Sequence, residues 1–250
     1  MKKQVSWWCE MKKYELISEE IRKRIGTAYY PEDQPIPDEN SLAAEFQCSR
    51  MTMKRALDLL VAEGLLFRKR GHGTFIVKAA LNQGAINVSG HENKGFTKVM
   101  ADKNVTTQII HFDVHFPSKE VAAHLSIDST TPIYDIIRLR LVDEEPYVLE
   151  KTFMPVNLIK GIDEEVLLGS IYGYISNDLN LKVAGAHKKI RAAKSDELDQ
   201  QYLGCDPTDP VLEVEQVAYL NTGRPFEYSF SHHRYDKFDF STVEITKTGR

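Results

Sequence analysis

Apolar residues between positions 12 and 64 recur every three or four positions, which is the period of an α-helix. Three helices are predicted: one from Lys12 to Gly26, a short one after Asp38 and one after Ser49. Asp38 and Ser49 are typical caps, because a short polar side chain can accept a hydrogen bond from a free backbone N–H of the first turn. The predicted inward positions are Tyr14, Ile17, Ile21, Ile25, Leu42, Ala43, Phe46, Met53, Ala56, Leu57 and Leu60.

The pattern changes to short extended runs after Gly64, which is predicted to end the third helix. Leu65–Phe67 and Thr74–Val77 are predicted strands, joined by the basic tip RKRGHG at residues 68–73. Helices followed by such a hairpin predict a winged helix-turn-helix. The cationic start of the third helix suits the major groove of DNA, and the cationic tip suits phosphate or the minor groove.

Strand-like alternation dominates the chain from residue 96 to about 247. The predicted strands are Thr107–Phe116, Ile133–Val142, Tyr147–Phe153, Leu181–Ala192, Val211–Tyr219, Phe226–Tyr235 and Val243–Ile245. The predicted helices are Lys119–Leu125, one capped by Gly169-Ser170 that runs through Leu179, and one capped by Ser195 that ends near Gly204. Hairpins interleaved with helices predict an α+β domain with an antiparallel sheet.

The two patterned regions are separated by residues 79–95, which have little periodicity and three glycines. We expect an interdomain linker there, between a DNA-binding domain at 12–78 and a second domain at 96–247. Residues 1–11 are expected to be a tail, and Met11 is an alternative start. The formal charge is +3 for residues 1–78 and −7 for the remainder, which fits a chain in which only the first domain meets DNA.

The cysteines and the N-terminus exclude several classes of protein. Cys9, Cys48 and Cys205 are too few and too widely spaced for a disulfide framework or a zinc site, so we expect a reducing cytoplasm, no metal and no cofactor. The first residues, MKKQVSWWCEMKK, lack the apolar core of a signal peptide. No apolar run approaches the roughly 18 residues of a transmembrane helix.

The first domain resembles the DNA-binding domain of the GntR family of bacterial transcription regulators. The motifs that carry the resemblance are PIPDENSLAAEF, SRMTMKRAL, LVAEGLL and RKRGHGTFIV, in this order. The predicted contacts with double-stranded operator DNA are Asn40, Ser49, Arg50, Thr52, Lys54, Arg55, Arg70, Gly71, His72 and Gly73. The family usually has Arg at the position of Asn40 and commonly at that of Lys54, so Arg50 and the tip must carry more of the contact. The alternative is that the cations of the third helix form a solvated face.

Alternation along the predicted strands brings Arg138 and Arg140 to one face, where two guanidiniums suit a phosphate or carboxylate. Glu150 joins them only if the hairpin register allows it. A three-residue loop at 143–145 places Glu150 opposite Arg138, and a two-residue loop places it opposite Leu139, on the other face. The alternative is a simple cross-strand ion pair between Arg138 and Glu150, contributing about 0.2–1 kcal/mol.

The second domain is similar to the UTRA effector-binding domain of the HutC subfamily of GntR regulators, a chorismate-lyase-like fold. The similarity lies in PIYDIIRLRLVDEEPYVLEKTFMP, GSIYGYI and GRPFEYSFSHHRYDKFDF. It implies a site for small acids or sugar phosphates at Phe96, Thr97, Arg138, Arg140, Glu150, Ser170, Tyr172, Glu227 and His233. Ser170 also lies at a helix start, which favours an anion. Tyr172 is equally compatible with a core position, and His233 stands where many relatives have an aromatic residue, commonly Tyr.

These observations together predict a homodimeric, ligand-responsive repressor of a carbohydrate-utilisation operon, released from DNA by a small anionic effector. A sugar phosphate is favoured over an amino-acid-derived acid. An enzyme that uses His232, His233 and Glu227 as acid–base groups is an alternative, as is an architectural DNA binder. Because neighbouring strand residues point to opposite faces, His232 and His233 are poor partners for one catalytic site.

Overall fold

The computed structural model describes residues 12–31, 33–77 and 103–238, and these fall into two compact units, the first up to residue 77 and the second from residue 103. The expected tail, the expected linker, Phe96, Thr97 and the predicted strand Val243–Ile245 lie outside the described residues. Within the described ranges, no helix is long and apolar enough to cross a membrane.

The first unit contains the predicted helices and hairpin. Its elements are α1 (Lys13–Gly26), α2 (Glu39–Glu45), α3 (Arg50–Ala62), β1 (Leu66–Lys69) and β2 (Gly73–Ile76). The Asp38 carboxylate accepts hydrogen bonds from the backbone N–H groups of Asn40 and Ser41, and the Ser49 hydroxyl accepts one from Thr52. Both caps are confirmed. Gly64 adopts the left-handed conformation just beyond α3, with φ of 72°, a conformation that costs glycine little.

The core of the first unit is the apolar stripe of each helix packed against the hairpin. Most of the predicted inward positions are buried, while Tyr14 and Phe46 pack at the edge of the core. Ile36 and Tyr30 are also buried, although the sequence predicted only an extended connector there. The backbone N–H of Ile36 donates to Thr74 in β2 at 2.8 Å, which ties the connector to the hairpin.

The second unit is built on a six-stranded antiparallel sheet with the order β3-β4-β5-β8-β7-β6. The elements are β3 (Val105–His115), α4 (Lys119–Leu125), β4 (Ile133–Val142), β5 (Glu145–Pro155), α5 (Glu164–Leu168), α6 (Ile171–Asn177), β6 (Val183–Lys194), a π-helical turn (Asp199–Leu203), β7 (Pro210–Leu220) and β8 (Pro225–Arg234). The predicted α+β architecture is confirmed, although α5 was not among the predicted helices.

The predicted cap at Ser195 is wrong. Its hydroxyl instead donates to the carbonyl oxygen of Asp206 at 2.9 Å. Asp196 and Asp199 form the cap, because the carboxylate of each accepts a hydrogen bond from the backbone N–H of the other at 2.9 Å. Ser195 and Asp196 are both typical helix caps, and the sequence pattern alone does not show which of the two directly precedes the helix.

The β4–β5 hairpin combines a two-residue turn with a bulge. Asp143 and Glu144 have φ of 53° and 67°, which matches the turn type favoured in tight hairpins. An uninterrupted ladder from this turn would place Leu149 opposite Arg138. The register instead shifts beyond Arg140, with one extra residue, Tyr147, in β5, and Glu150 comes to lie opposite Arg138. Neither of the two loops predicted from the sequence included a bulge, and the observed hairpin combines the shorter loop with one extra residue in β5.

Different elements cover the two faces of this sheet. We call the face that carries Arg138 and Glu150 the site face; Leu167 of α5 and Ile171 and Ile175 of α6 are clustered with its apolar residues. We call the other the network face. There α4 and the π-helical turn pack, the first against Phe153 and Tyr228 and the second against Leu139 and Leu149.

Candidate nucleic-acid interface and effector site

The start of α3 presents Arg50 and Lys54 to solvent. The Arg50 side chain is 69% exposed, and its Nε donates to the Glu39 carboxylate at 3.2 Å. Ser49 and Thr52 are engaged in the cap: the Ser49 Oγ accepts the Thr52 N–H at 3.1 Å and lies 2.8 Å from the Thr52 Oγ1. Among the described residues, Arg50 therefore has one ion-pair partner, the half-buried Glu39, which a phosphate or base can replace.

Arg55 and Asn40 differ from Arg50 in their surroundings. The Arg55 guanidinium lies over the Tyr14 ring of α1, 4.1 Å from its centroid. Arg55 therefore already has a cation–π partner within the first unit. The backbone N–H of Asn40 donates to Asp38 at 2.8 Å, and the residue is exposed in the first turn of α2. An uncharged amide there can bind phosphate or adenine.

The tip of the hairpin is an exposed turn at Arg70, Gly71 and His72. Gly71 and Gly73 have φ of 75° and 111°, values that favour glycine. A Cβ on Gly73 would lie 2.8 Å from Pro35 Cβ, so the tip packs closely against the connector. The Nδ1 of His72 lies 3.0 Å from the carbonyl oxygen of Arg70. This geometry presents a narrow cationic turn.

Two residues of this surface, Met51 and Arg68 of the basic tip, were not among the predicted DNA contacts. Met51 is 72% exposed at the second position of α3, and an apolar side chain there can contact a thymine methyl group. Arg68 pairs with Asp58 and, at 3.7 Å, with Glu39, so acidic neighbours partly neutralise the base of the tip. The exposure of Met51 could have been predicted from the sequence, because this residue lies in the cationic first turn of α3 and outside its apolar stripe.

On the site face of the second unit, Arg138 and Arg140 are buried, with 5% and 3% exposure. The Arg138 Nη2 donates to Glu150 at 2.8 Å and its Nη1 donates to the carbonyl oxygen of Leu167 at 3.0 Å. Glu150 also lies 3.9 Å from Arg140. Burial lowers the pKa of Arg140, Glu150 opposes this and Arg138 adds to it. Such a cation pair favours an anion between its planar groups.

Glu227 is the centre of a polar cluster on the same face. It is buried, and accepts hydrogen bonds from the Ser229 Oγ at 2.6 Å and from the Gln216 Nε2 at 2.8 Å. Burial raises the pKa of the Glu227 carboxyl, which these hydrogen bonds oppose. The Gln216 Nε2 also donates to the Tyr172 hydroxyl at 3.2 Å. The Tyr172 ring also packs edge-on against Phe226, and its role in ligand binding stays a prediction.

Ser170 and His233 are partly committed to contacts within the unit. The Ser170 Oγ accepts the Gly173 N–H at 3.1 Å and so caps α6. His233 is buried and stacks on Phe238, with ring centroids 4.0 Å apart. Burial lowers the pKa of His233 to about 3, with repulsion from His232 and Lys188 adding to it. This imidazole is therefore neutral at pH 7, and its buried Nδ1 has no hydrogen-bond partner among the described residues.

The polar residues of β6 and β7 were missed by the sequence analysis. Lys188 lies opposite Gln216, and Gln216 lies opposite Ser229, so these side chains share the site face. Alternation along each strand predicts which side chains share a face of that strand. It does not predict that β6 pairs with β7, which brings Lys188 and Gln216 together.

The network face carries His232, as the expected alternation requires. The His232 Nδ1 lies 2.9 and 3.0 Å from the two Asp199 oxygens, and its Nε2 lies 3.1 Å from Glu213. Burial acts to lower the pKa of His232, but the hydrogen bonds and charges of Asp199 and Glu213 raise it overall. The potential metal-ligand atoms of Asp196, Asp199 and His232 lie within 4.8 Å of one another. Those of Asp199 and His232 are already hydrogen-bonded to each other.

Comparison with known families accounts for both units. The model of bacterial regulatory proteins of the gntR family matches residues 13–76, and the model of the UTRA domain matches residues 100–239.

Similar proteins share almost the full length of the chain. The HTH-type transcriptional regulator GmuR of Bacillus subtilis (strain 168) is 60% identical over 95% of this chain and 100% of GmuR. The mannosyl-D-glycerate transport/metabolism system repressor MngR of Escherichia coli (strain K12) is 26% identical over 95% of this chain and 98% of MngR. The crystal structure of the possible transcriptional regulator YydK from Bacillus subtilis subsp. subtilis str. 168 matches with a TM-score of 0.78 at 28% identity, over 94% of this chain and all of that one.

Proposed function

The chain belongs to the GntR family of bacterial regulatory proteins and carries a UTRA domain, and from this premise we propose that it is a homodimeric repressor of a carbohydrate-utilisation operon. It is a DNA-binding transcription regulator and not an enzyme. In the proposal, residues 12–78 bind operator DNA, 79–95 connect the domains, and 96–247 bind a sugar phosphate and form the dimer.

The buried pair of Arg138 and Arg140 is the observation that carries the effector assignment. Two guanidiniums on neighbouring same-face positions of β4 share the Glu150 carboxylate, at 2.8 and 3.9 Å. The Arg138 Nε is buried and has no hydrogen-bond partner within the described part of the chain. A phosphate supplies oxygens for such a planar cation and offsets the charge that remains.

The other end of the site supports a sugar rather than a bare phosphate. Glu227 and Gln216 form a buried carboxylate–amide pair, and Ser229 and Thr152 lie opposite one another on β8 and β5. Carboxylates and amides are suited to sugar hydroxyls, since each can accept and orient an O–H group. MngR, a relative, is named as the repressor of a carbohydrate-derivative system, which favours the same class here.

A homodimer fits the proposed DNA contacts. A two-fold protein places two copies of α3 and of the tip on an inverted repeat, which doubles the contacts that Arg50 and the turn at Arg70 supply. In this mechanism, the effector changes the separation of the two DNA-binding units and so weakens operator binding. Thermodynamic reciprocity then requires that operator DNA weaken effector binding by the same factor.

The proposal is tested with the full chain and a duplex that it selects from a random-sequence pool. Hexose 6-phosphates, the parent hexoses, inorganic phosphate and amino-acid-derived acids are first compared for thermal stabilisation. A ligand at about 100 times its Kd stabilises the folded state by about 2.7 kcal/mol. Fluorescence anisotropy then measures duplex binding with and without the stabilising ligand. We expect weaker binding with a sugar phosphate; equal DNA affinity at saturation contradicts the proposal.

Arg50→Ala tests the DNA surface. We expect it to weaken binding of the selected duplex by about 1–3 kcal/mol, because it removes the exposed guanidinium at the start of α3. Lys23→Ala is the matched control, since it removes one exposed cation from α1, and it should leave specific binding unchanged. Equal losses in the two variants would mean that Arg50 contributes only general charge.

A further inference from the structure

Lys188 lies at the end of the effector site away from the arginines. Its cross-strand partner is Gln216, and the Gln216 Nε2 donates to Glu227 at 2.8 Å. The next residue, Lys189, points to the network face, where it lies 3.6 Å from Glu215. Lys188 therefore adds a cation to the site face beside the Glu227 cluster.

The ammonium of Lys188 has an unusual environment for a lysine. Burial lowers its pKa, and the attraction of Glu227 opposes this change. Its charge in turn helps to lower the pKa of His233. Across the described residues, no acceptor lies within hydrogen-bond or ion-pair distance of it. A partly desolvated ammonium with this freedom can donate to a ligand.

The strand order separates Lys188 from the arginine pair. Lys188 is on β6 and the arginines are on β4, with β7, β8 and β5 between them. Four strand spacings correspond to roughly 19 Å between backbones, so one phosphate cannot touch both groups. In the proposed site, a sugar whose phosphate lies at Arg138 would extend across Glu150 on β5 towards Glu227 on β8, which is two strands from Lys188 on β6.

We propose that Lys188 is a specificity-determining residue of this site, which lies beside the Glu227 carboxylate and excludes sugar phosphates that carry an ammonium group. This inference rests on the proposed function. Without Lys188, Glu227 would be a buried carboxylate that attracts a cationic amino sugar. With Lys188 present, an incoming ammonium meets a like charge in a partly buried site, and a hydroxyl meets both a donor and an acceptor.

The test compares neutral and cationic ligands of the same shape. Glucose 6-phosphate and mannose 6-phosphate are titrated against the full chain by calorimetry, together with glucosamine 6-phosphate and mannosamine 6-phosphate. We expect the wild type to prefer at least one neutral sugar phosphate to its amino counterpart by about tenfold or more. Lys188→Met should reduce that ratio to near one or reverse it, and Lys188→Arg should retain it.

Lys189→Met is the control, because it removes the neighbouring cation from the opposite face, and it should keep the wild-type ratio. If Lys188→Met does not fold, the ratio in Lys188→Gln replaces it. A wild type that binds the amino sugar phosphates as tightly as the neutral ones, or a Lys188 variant with an unchanged ratio, overturns this inference and leaves the proposed function in place. Failure of all four sugar phosphates to bind overturns both.

Discussion

The two faces of the six-stranded sheet hold their charged groups in different ways. On the network face, His232 bridges Asp199 and Glu213, and Arg191 pairs with Glu213 and Glu215, so the charges satisfy one another. On the site face, the Arg138 Nε and the His233 Nδ1 are buried without a hydrogen-bond partner among the described residues. Burial of charge is common to both faces. The buried atoms without a hydrogen-bond partner on the described part of the network face, Asp135 Oδ1 and Glu213 Oε1, are acceptors. What distinguishes the site face is an unused guanidinium donor, the Arg138 Nε, which an anionic ligand can satisfy.

Asp199→Ala would break the network face and should give the largest effect. Asp199 is fully buried and holds His232 through both carboxylate oxygens. Its loss leaves the half-buried His232 with Glu213 in place of two carboxylates and also removes the acceptor of the Asp196 N–H, so we expect the free energy of unfolding to fall by about 3–5 kcal/mol in urea titrations at pH 7.

Asp196→Ala is the control for that experiment, because the exposed Asp196 carboxylate only caps the same turn. A lost cap costs about 0.5–2 kcal/mol. Equal losses in both variants would show that the ion pair with His232 contributes nothing beyond capping.

Arg138→Ala would break the site face, and its effect should appear in ligand affinity. The variant removes a buried guanidinium that is proposed to bind phosphate and leaves Glu150 without its 2.8 Å partner. We expect the affinity for the sugar phosphate found in the screen to fall by about 2–5 kcal/mol in calorimetry.

Arg191→Ala provides the comparison, since it removes a guanidinium that pairs with acids on the network face. Its affinity for the sugar phosphate should match that of the wild type. An Arg138→Ala variant with wild-type affinity would place the phosphate elsewhere.

The smallest expected effect separates the adjacent histidines by pH. The pKa of His233 is lowered to about 3 in the folded state and is about 6.5 in the unfolded state, so below pH 6.5 the unfolded state binds a proton that the folded state does not, and the folded state is destabilised. Between pH 7 and pH 5 this lowers the free energy of unfolding by about 2 kcal/mol. His232 acts in the opposite direction: its pKa is raised, so its stabilisation is present below 6.5 and is lost as the pH rises through the folded-state pKa.

Urea unfolding at pH 5 and pH 7 measures both contributions. His233→Phe should lose less stability on acidification than the wild type, and His232→Gln should lose more. Identical pH dependence in the wild type and both variants would mean that neither histidine is perturbed by its face of the sheet.

The sequence predicted local structure well, because local structure follows from neighbouring residues. Ser49, the apolar stripe of α3 and Gly64 define a helix with both ends marked, and alternation assigns Arg138 and Arg140 to one face. The motifs of the two domains then predicted the GntR and UTRA assignments, which the family models confirm. The roles of the individual contact residues stay predictions.

Contacts between distant segments could not be predicted in this way. The Arg55–Tyr14 stack, the Lys188–Gln216 pairing and the Asp199–His232 bond each depend on how elements pack rather than on their own patterns. The helix α5, Glu164–Leu168, is too short for a helical period to stand out. These are the contacts that distinguish the two faces of the sheet.

The bulge at Tyr147 also has an evolutionary consequence. Because Tyr147 is the extra residue of the bulge, its loss would leave a regular hairpin in which Glu150 still opposes Arg138. Related chains can therefore differ in length by one residue at Tyr147 and still keep Glu150 opposite Arg138. A gain or loss between Val148 and Glu150 has no such buffer, because it would turn the carboxylate to the other face, so selection should act on length there as strictly as on residue identity.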